Sequence, residues 1–146
     1  MGLNDCNGEL LKKHGLKNTR QRSAILDILD GEQVPLSAED VYIELKKQDI
    51  AANLSTVYRT LDVMLAKGLI REAGVAGDNR AMYELNRTEH RHYLVCMGCK
   101  KITPLDKCPI KDYENEIARE THYTIAGHRL DIFGFCPQCQ AGRLRR

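Results

Sequence analysis

Two short stretches of the sequence concentrate residues that bind metals. Residues 90–99 read HRHYLVCMGC and residues 134–139 read GFCPQC, so each contains a pair of cysteines separated by two residues. Pairs of this kind supply thiolates to Zn²⁺, which takes four ligands in a closed, tetrahedral structural site. The spacing therefore predicts one structural zinc site built from both stretches. Its ligands would be Cys96, Cys99, Cys136 and Cys139.

Composition limits the classes of protein to which the chain can belong. Its 146 residues are enough for one good core or two small ones, and its net charge is +2. It has no apolar run long enough for a membrane span. The first residues lack the apolar segment and cleavage site of a secretory signal, which predicts a cytoplasmic location and disfavours disulfides. Because the net charge is small, any nucleic-acid binding must come from local basic patches.

Residues 100–135, between the two cysteine pairs, must contain regular structure of their own. PIKDYENEIARETH predicts a helix with Pro109 at its first position. Its Ile110, Tyr113 and Ile117 fall on one face. YTIAGHRLDIFGF alternates in the manner of a β-strand. A strand, a helix and a strand held by one zinc ion would form a small domain.

The first half of the chain predicts three helices and a β-hairpin. Helices are expected in TRQRSAILDILDG, which ends at Gly31, in SAEDVYIELKKQ, capped by Ser37, and in LSTVYRTLDVMLAKGLI, capped by Ser55. LIREAGV and RAMYEL follow as strands joined by the turn AGDN. Three helices and a hairpin are the order of a winged helix-turn-helix. We predict this domain over residues 1–85 and the zinc-stapled domain over residues 86–146.

The third predicted helix presents a polar face at its start. Tyr58 offers a phenol for a thymine methyl group, Arg59 can bind phosphate or guanine, and nearby hydroxyls can contact the DNA backbone. An ordinary packing helix with a solvated polar face is the alternative, but we favour a recognition helix for double-stranded DNA. The candidate contacts are Arg22, Ser55, Thr56, Tyr58 and Arg59, with Arg22 belonging to a basic cluster of Lys12, Lys13, Lys17, Arg20 and Arg22 that could neutralise phosphates.

Five segments together resemble the ferric uptake regulator family of bacterial metal-dependent repressors, and within it most closely the zinc uptake regulators. The segments are GLKNTRQRSAILDIL, SAEDVYIEL, STVYRTLDVMLAKGLI, HRHYLVCMGCKKI and GHRLDIFGFCPQC. The resemblance implies a mixed α/β (α+β) fold, with an N-terminal winged-helix domain and a C-terminal α/β dimerisation domain. It also implies a homodimer that binds a palindromic operator and represses when a regulatory metal is bound.

The resemblance assigns roles to residues already singled out. Tyr58 and Arg59 match DNA-reading positions, and Lys17 matches the basic residue that approaches the minor groove. The four paired cysteines match the family's structural zinc ligands.

The hinge metal site of the family is altered in this sequence. That site takes a His before the second helix, an acidic or Cys ligand at the end of the hairpin, and two His just before the first cysteine pair. These positions hold Pro35, Glu84, Arg91 and Tyr93. Only Glu84 could bind a metal there, because a guanidinium cannot ligate and repels cations. The hinge site is therefore predicted to be absent or greatly altered.

The histidines lie one residue out of phase, at His90 and His92, where strand alternation places both on one face. Together with His128 they match the family's second regulatory site, in the dimerisation domain. A lysine stands where the acidic ligand is expected, so the fourth ligand would be Cys108, in a CP segment resembling some zinc uptake regulators, or Asp112. A His₃Cys shell suits Zn²⁺ better than Fe²⁺ or Mn²⁺, whereas a His₃Asp shell discriminates less.

These observations predict a zinc-responsive repressor of metal-uptake genes, with no catalytic residue, organic cofactor or membrane partner. Iron- or peroxide-responsive members of the same family are one alternative. A zinc hydrolase is another, although the Glu of H-x-E and the Pro before the cysteine pair are missing. A zinc-stapled protein adaptor would leave the outward TVYR face unexplained. His90 and His92 could also be solvated strand residues, and Cys108 a small buried apolar residue.

Overall fold

The computed structural model describes residues 4–73, 80–87 and 91–144. Two compact units separate between residues 87 and 91, and each is described by itself. The first unit contains α1 (Asn4–Lys13), α2 (Arg20–Gly31), β1 (Leu36–Ser37), α3 (Ala38–Lys47), α4 (Leu54–Ala66), β2 (Ile70–Ala73) and β3 (Met82–Leu85). The second contains β4 (His92–Cys96), β5 (Ile102–Leu105), α5 (Lys111–Thr121), β6 (Ile132–Gly134) and α6 (Pro137–Leu144).

Apolar residues at helical spacing build the core of the first unit. The inward faces of α2, α3 and α4 meet there, as their periodicity predicts. A three-stranded sheet of order β1-β3-β2 closes one side, with β2 and β3 antiparallel as the hairpin prediction requires. The predicted turn at residues 76–79 lies outside the described residues. The fully buried side chains at the centre are Ile25, Leu26, Val41, Leu45, Val57, Leu61 and Met64.

The helix termini confirm one predicted cap and correct another. Ser37 caps α3 in a capping box with Asp40, as predicted. Helix α4 begins one residue earlier than Ser55, at Leu54, and its N-cap is Asn53. The side-chain oxygen of Asn53 accepts the backbone N–H of Thr56 at 2.8 Å, which satisfies one of the free donors of the first turn. Ser55 therefore lies inside that turn.

Helix α1 is an element that the sequence patterns did not predict. Its Leu11 is fully buried against the core, and its buried Asn7 hydrogen-bonds Asp27 of α2. Lys12 and Lys13 lie in the last turn of α1, where cations interact favourably with the helix dipole. These two lysines therefore end a helix of their own, ahead of the basic residues at the start of α2.

The second unit is built on a sheet of order β5-β4-β6. Strand β4 pairs antiparallel with β5 and parallel with β6. The strand predicted over 123–135 is confined to Ile132–Gly134, and residues 122–131 form no regular structure. Helix α5 begins at Lys111 after the cap residue Ile110, so Pro109 precedes the helix rather than starting it. No residue of this helix is buried within the single chain.

No helix in the described part of the chain is both long enough and apolar enough to cross a membrane.

Candidate metal centres and DNA-reading surface

The four paired cysteines meet at one end of the second unit. Cys96 ends β4, and a tight turn returns the chain so that the Lys100 N–H bonds the Cys96 carbonyl at 2.9 Å. The Met97 N–H bonds the Gly134 carbonyl at 2.7 Å, which ties this turn to the end of β6 just before Cys136. A Cβ at Gly98 would lie 2.7 Å from Cys139 Sγ. The turn therefore needs glycine there, a requirement that cysteine spacing alone did not reveal.

The geometry of these thiols fits a zinc ion. Their four Sγ atoms all lie within 4.8 Å of one another, and Cys99 Sγ is 3.8 Å from Cys136 Sγ. Zn–S bonds of about 2.3 Å in a tetrahedron require sulfur atoms about 3.8 Å apart. Backbone donors also favour thiolate: the Cys136 N–H lies 3.3 Å from Cys96 Sγ, and this contact is the main cause that lowers the pKa of Cys96 to about 5.

A second cluster of metal-binding side chains lies farther along the same unit. His92 is the first residue of β4, Cys108 lies between β5 and α5, and His128 lies between α5 and β6. His128 Nε2 is 2.9 Å from His92 Nε2 and 3.5 Å from Cys108 Sγ. The two imidazole rings stack with centroids 4.8 Å apart. Folding thus brings together three residues from three separate segments.

This donor set also fits zinc. A tetrahedral site with Zn–S of about 2.3 Å and Zn–N of about 2.0 Å places sulfur and nitrogen about 3.5 Å apart. The Cys108 to His128 distance has this value, and the His–His distance needs to open by about 0.4 Å for the same geometry. Imidazole and thiolate together are a soft donor set.

The other predicted regulatory ligands have different outcomes. His90 lies outside the described residues. Asp112 is exposed on α5 and belongs to neither metal-binding group found among the described residues. Glu114, which the sequence patterns did not single out, contacts His128 Nδ1 through its Oε1. It lies one helical turn after the lysine at position 111, and residues three apart share a helix face. That spacing is the signal that could have found it.

The predicted hinge residue Glu84 is held by an ion pair inside the first unit. Arg71 and Glu84 are direct partners across the antiparallel β2 and β3 strands, and Arg71 Nε donates to Glu84 Oε1 at 2.7 Å. Glu84 is almost fully buried. Pro35, at the position where the family carries a histidine, is fully buried. The positive charge of the Arg71 guanidinium beside the Glu84 carboxylate disfavours a metal ion there.

Helix α4 presents the predicted DNA-reading residues at its N-terminal end. Ser55, Tyr58 and Arg59 are exposed, while Thr56 is half-buried. The Thr56 hydroxyl donates to Asn53 at 2.8 Å, and Arg59 Nη2 reaches that hydroxyl at 3.4 Å. The structure therefore gives Thr56 a part in the helix start and leaves the side chains of Ser55, Tyr58 and Arg59 exposed.

Tyr58 has an acidic partner that the sequence reasoning missed. Its hydroxyl donates to Glu39 Oε1 at 2.6 Å, from the first turn of α3. This hydrogen bond stabilises the protonated phenol and the ionised carboxylate, so it raises the pKa of Tyr58 and lowers that of Glu39. The phenol is thus held in one orientation at the start of the helix.

Two basic residues near the start of α2 differ in their surroundings. Lys17 is exposed. Arg22 is half-buried and donates from Nη1 to the Lys17 carbonyl at 3.1 Å, which fixes the loop that carries Lys17.

Comparison with known proteins agrees with this architecture. The profile of the Ferric uptake regulator family matches residues 13–133. The ferric uptake regulation protein of Neisseria meningitidis serogroup A is 34% identical over 132 residues, which cover 90% of this chain and 91% of that protein. The solved structure of the Vibrio cholerae ferric uptake regulator has a TM-score of 0.76 at 30% identity, covering 89% and 99% of the two chains. A zinc-bound manganese uptake regulator has a TM-score of 0.72 at 28% identity, covering 88% and 96%.

These matches decide between the classes of protein considered above. Members of the matched family are dimeric DNA-binding transcription regulators and not enzymes, so the hydrolase and adaptor alternatives are set aside. The predicted fold, with a winged-helix domain before an α/β dimerisation domain, is confirmed by the solved structures. With most of its length matched by the profile, this chain belongs to the ferric uptake regulator family of metal-responsive repressors.

Proposed function

We propose that this protein is a zinc-responsive repressor of the zinc uptake regulator type, acting as a homodimer on palindromic operator DNA in the cytoplasm. In this proposal the four paired cysteines bind a structural zinc, and His92, Cys108 and His128, completed by His90, bind the regulatory zinc. The observation that carries the proposal is the meeting of two imidazoles and a thiol within 4.8 Å of one another. Genes for metal uptake are the expected targets.

The donor set favours zinc over the other metals of the family. Thiolate and imidazole together prefer Zn²⁺ to Fe²⁺ or Mn²⁺ in a tetrahedral site. At the hinge positions the one remaining candidate ligand, Glu84, is paired with the Arg71 guanidinium, whose positive charge disfavours a metal ion there. An iron-responsive repressor is the second candidate, since the curated relative from Neisseria meningitidis is named for ferric uptake.

The position of the regulatory site explains how metal could control DNA binding. Zinc bound there supplies a cross-link between β4, the segment before α5 and the segment before β6. Cys108 precedes α5 and His128 follows it, so the metal would tie together the segments on either side of the helix. Tyr113 of α5 is 61% exposed and Phe133 of β6 is 58% exposed. We assign these apolar side chains of the second unit to the homodimer interface, whose geometry sets the spacing of the two reading helices.

Metal analysis combined with operator binding tests the proposal. Purified protein is expected to contain two zinc ions per chain, of which one is removed by a mild chelator. The one-zinc form should bind an operator duplex weakly, and added Zn²⁺ should restore binding. Restoration by Fe²⁺ under anaerobic conditions, with Zn²⁺ inactive, would favour the iron-responsive candidate.

Replacement of Arg59 by alanine is expected to weaken operator binding by about 1–3 kcal/mol, the usual contribution of a well-formed base or phosphate contact. The fold and zinc content should not change, because the side chain is exposed and its hydrogen bond to Thr56 is long, at 3.4 Å. Fluorescence anisotropy with labelled duplex measures the loss. Lys67→Ala, at the opposite end of α4, is the matched control. Equal affinities of the two variants would place the DNA-reading surface elsewhere.

A pair of substitutions identifies the non-histidine ligand of the regulatory site. Cys108→Ser is expected to weaken the second zinc strongly, because serine replaces a thiolate with a poor ligand. Asp112→Asn should leave zinc binding unchanged, since Asp112 is exposed and lies outside the cluster. Competition with a zinc indicator measures both affinities. The reverse pattern would assign the ligand role to Asp112.

A further inference from the structure

Glu114 approaches the regulatory cluster from the side opposite to the proposed metal. Its Oε1 contacts His128 Nδ1, while Nε2 of the same ring faces His92 Nε2 at 2.9 Å and Cys108 Sγ at 3.5 Å. The two nitrogens of an imidazole point in different directions. One edge of the His128 ring therefore meets a carboxylate, and the other edge meets the remaining donors of the cluster.

We propose that Glu114 is a positioning residue that holds His128 in the tautomer protonated at Nδ1, with Nε2 directed at the metal. This inference rests on the proposed function of the cluster. An ionised carboxylate accepts hydrogen bonds only, so its partner nitrogen must carry the proton. Nε2 then keeps its lone pair, which is the form of imidazole that ligates zinc. Carboxylate–histidine–zinc arrangements of this kind also raise the basicity of the ligand.

The surroundings of Glu114 support a positioning role. The His128 and Glu114 side chains are only 10% and 22% exposed, so the contact is partly shielded from competing water. Helix α5 carries Glu114 one turn after its start, where the Glu114 N–H bonds the Ile110 carbonyl at 2.9 Å. The carboxylate is thus presented by a regular helix, whereas His128 lies in a segment without regular structure. Helix α5 therefore restricts the orientation of the His128 ring, which its own irregular segment would restrict less.

Contact geometry separates this role from direct ligation. Glu114 meets Nδ1 rather than the side of the ring that faces His92 and Cys108. Among the described residues, the group whose donor atoms all lie within 4.8 Å of one another contains His92, Cys108 and His128 and not Glu114. A carboxylate at Nδ1 cannot reach a metal held by Nε2 of the same ring without first releasing that contact.

Two variants and one control test the proposal on the full-length protein. Glu114→Ala removes the acceptor, Glu114→Gln keeps a neutral acceptor, and Glu116→Gln changes an exposed carboxylate on the same helix. Zinc affinity is measured by competition with a chelator. We expect Glu114→Ala to lower the affinity for the second zinc about 10–100-fold, as when other residues that hydrogen-bond a metal-binding histidine are lost. Two zinc ions per chain should still bind at saturation. Glu114→Gln should fall between this variant and the control.

The His128 tautomer gives a readout that does not depend on metal. Long-range ¹H–¹⁵N spectra are recorded after a mild chelator has removed the regulatory zinc. They should show His128 protonated at Nδ1 in the wild type and in Glu116→Gln, with a mixture of tautomers in Glu114→Ala. Unchanged tautomer and zinc affinity in Glu114→Ala would overturn the proposal. Complete loss of the second zinc in Glu114→Ala would overturn it too, because that result makes Glu114 a ligand. A wild type that binds only one zinc contradicts the proposed function, while the tautomer measurement still tests Glu114.

Discussion

Replacing His128 by alanine is expected to abolish zinc-dependent operator binding while the protein keeps its structural zinc and its dimeric state. His128 is the central member of the regulatory cluster, because its Nε2 contacts both His92 and Cys108. The substitution removes one ligand, and it also removes the Nε2 atom that contacts both His92 and Cys108. The affinity for the second zinc should fall by more than roughly 100-fold, the upper range expected when a residue that only hydrogen-bonds a metal ligand is lost.

Three measurements check this expectation. Zinc per chain should drop from two to one, operator retardation should no longer respond to added Zn²⁺, and size-exclusion chromatography should still show a dimer. Glu84→Gln is the matched control, because it changes the one metal-binding candidate of the hinge. Normal zinc response in His128→Ala together with loss of response in Glu84→Gln would place the sensor at the hinge and contradict the proposed function.

The same site predicts a dependence on pH. Imidazole binds metal in its neutral form, so protons compete with zinc for the nitrogen ligands of the regulatory site. In the wild type, operator binding at a fixed, limiting zinc concentration should therefore decline as the pH is lowered.

Replacing Cys96 by serine is expected to have the largest effect on stability. Cys96 is buried at the end of β4, and the zinc site it shares would join the turn after β4 to the start of α6. Binding free energies of structural zinc sites are on the order of 10 kcal/mol and are coupled to folding. Loss of one thiolate should therefore loosen the second unit and dissociate the dimer, while the first unit keeps its own core.

Zinc content, thermal unfolding and sedimentation of the Cys96→Ser variant measure this loss. Cys6→Ser is the control, since Cys6 is an exposed thiol on α1 outside the metal-binding groups. Helical circular dichroism from the first unit should persist in both variants. A zinc-containing, dimeric Cys96→Ser protein would contradict the assignment of the four cysteines to a structural site.

Local patterns in the sequence were sufficient to predict much of the fold. The spacing of apolar residues in α2, α3 and α4 predicts their buried faces, because residues on one face of a helix recur every three to four positions. The Ser37 cap and the β2–β3 pairing also follow from short-range chemistry. The predicted Ser55 cap was wrong and shows the limit of such rules, since Asn53, two residues earlier, makes the capping hydrogen bond instead.

The meeting of the four cysteines was predictable for the same reason. Two residues between the members of a pair place both thiols in one turn, so only the approach of the two turns depends on the fold. The regulatory cluster is different. Its members come from a strand and from two segments without regular structure, and nothing in the spacing of Cys108 or Asp112 indicates which of them approaches the histidines.

Sequence alone determined the types of metal-binding side chain available to this protein, the cysteine pairs, and the helix that presents Tyr58 and Arg59. Tertiary structure decided that Cys108 rather than Asp112 lies beside His92 and His128, that Glu114 supports the histidine, and that Arg71 engages Glu84. The physical reason is the separation along the chain between the residues that interact. Helix periodicity, capping and paired thiols depend on neighbours a few residues apart, whereas these contacts depend on the path of residues 122–131 and on strand register, which only packing of the whole unit fixes.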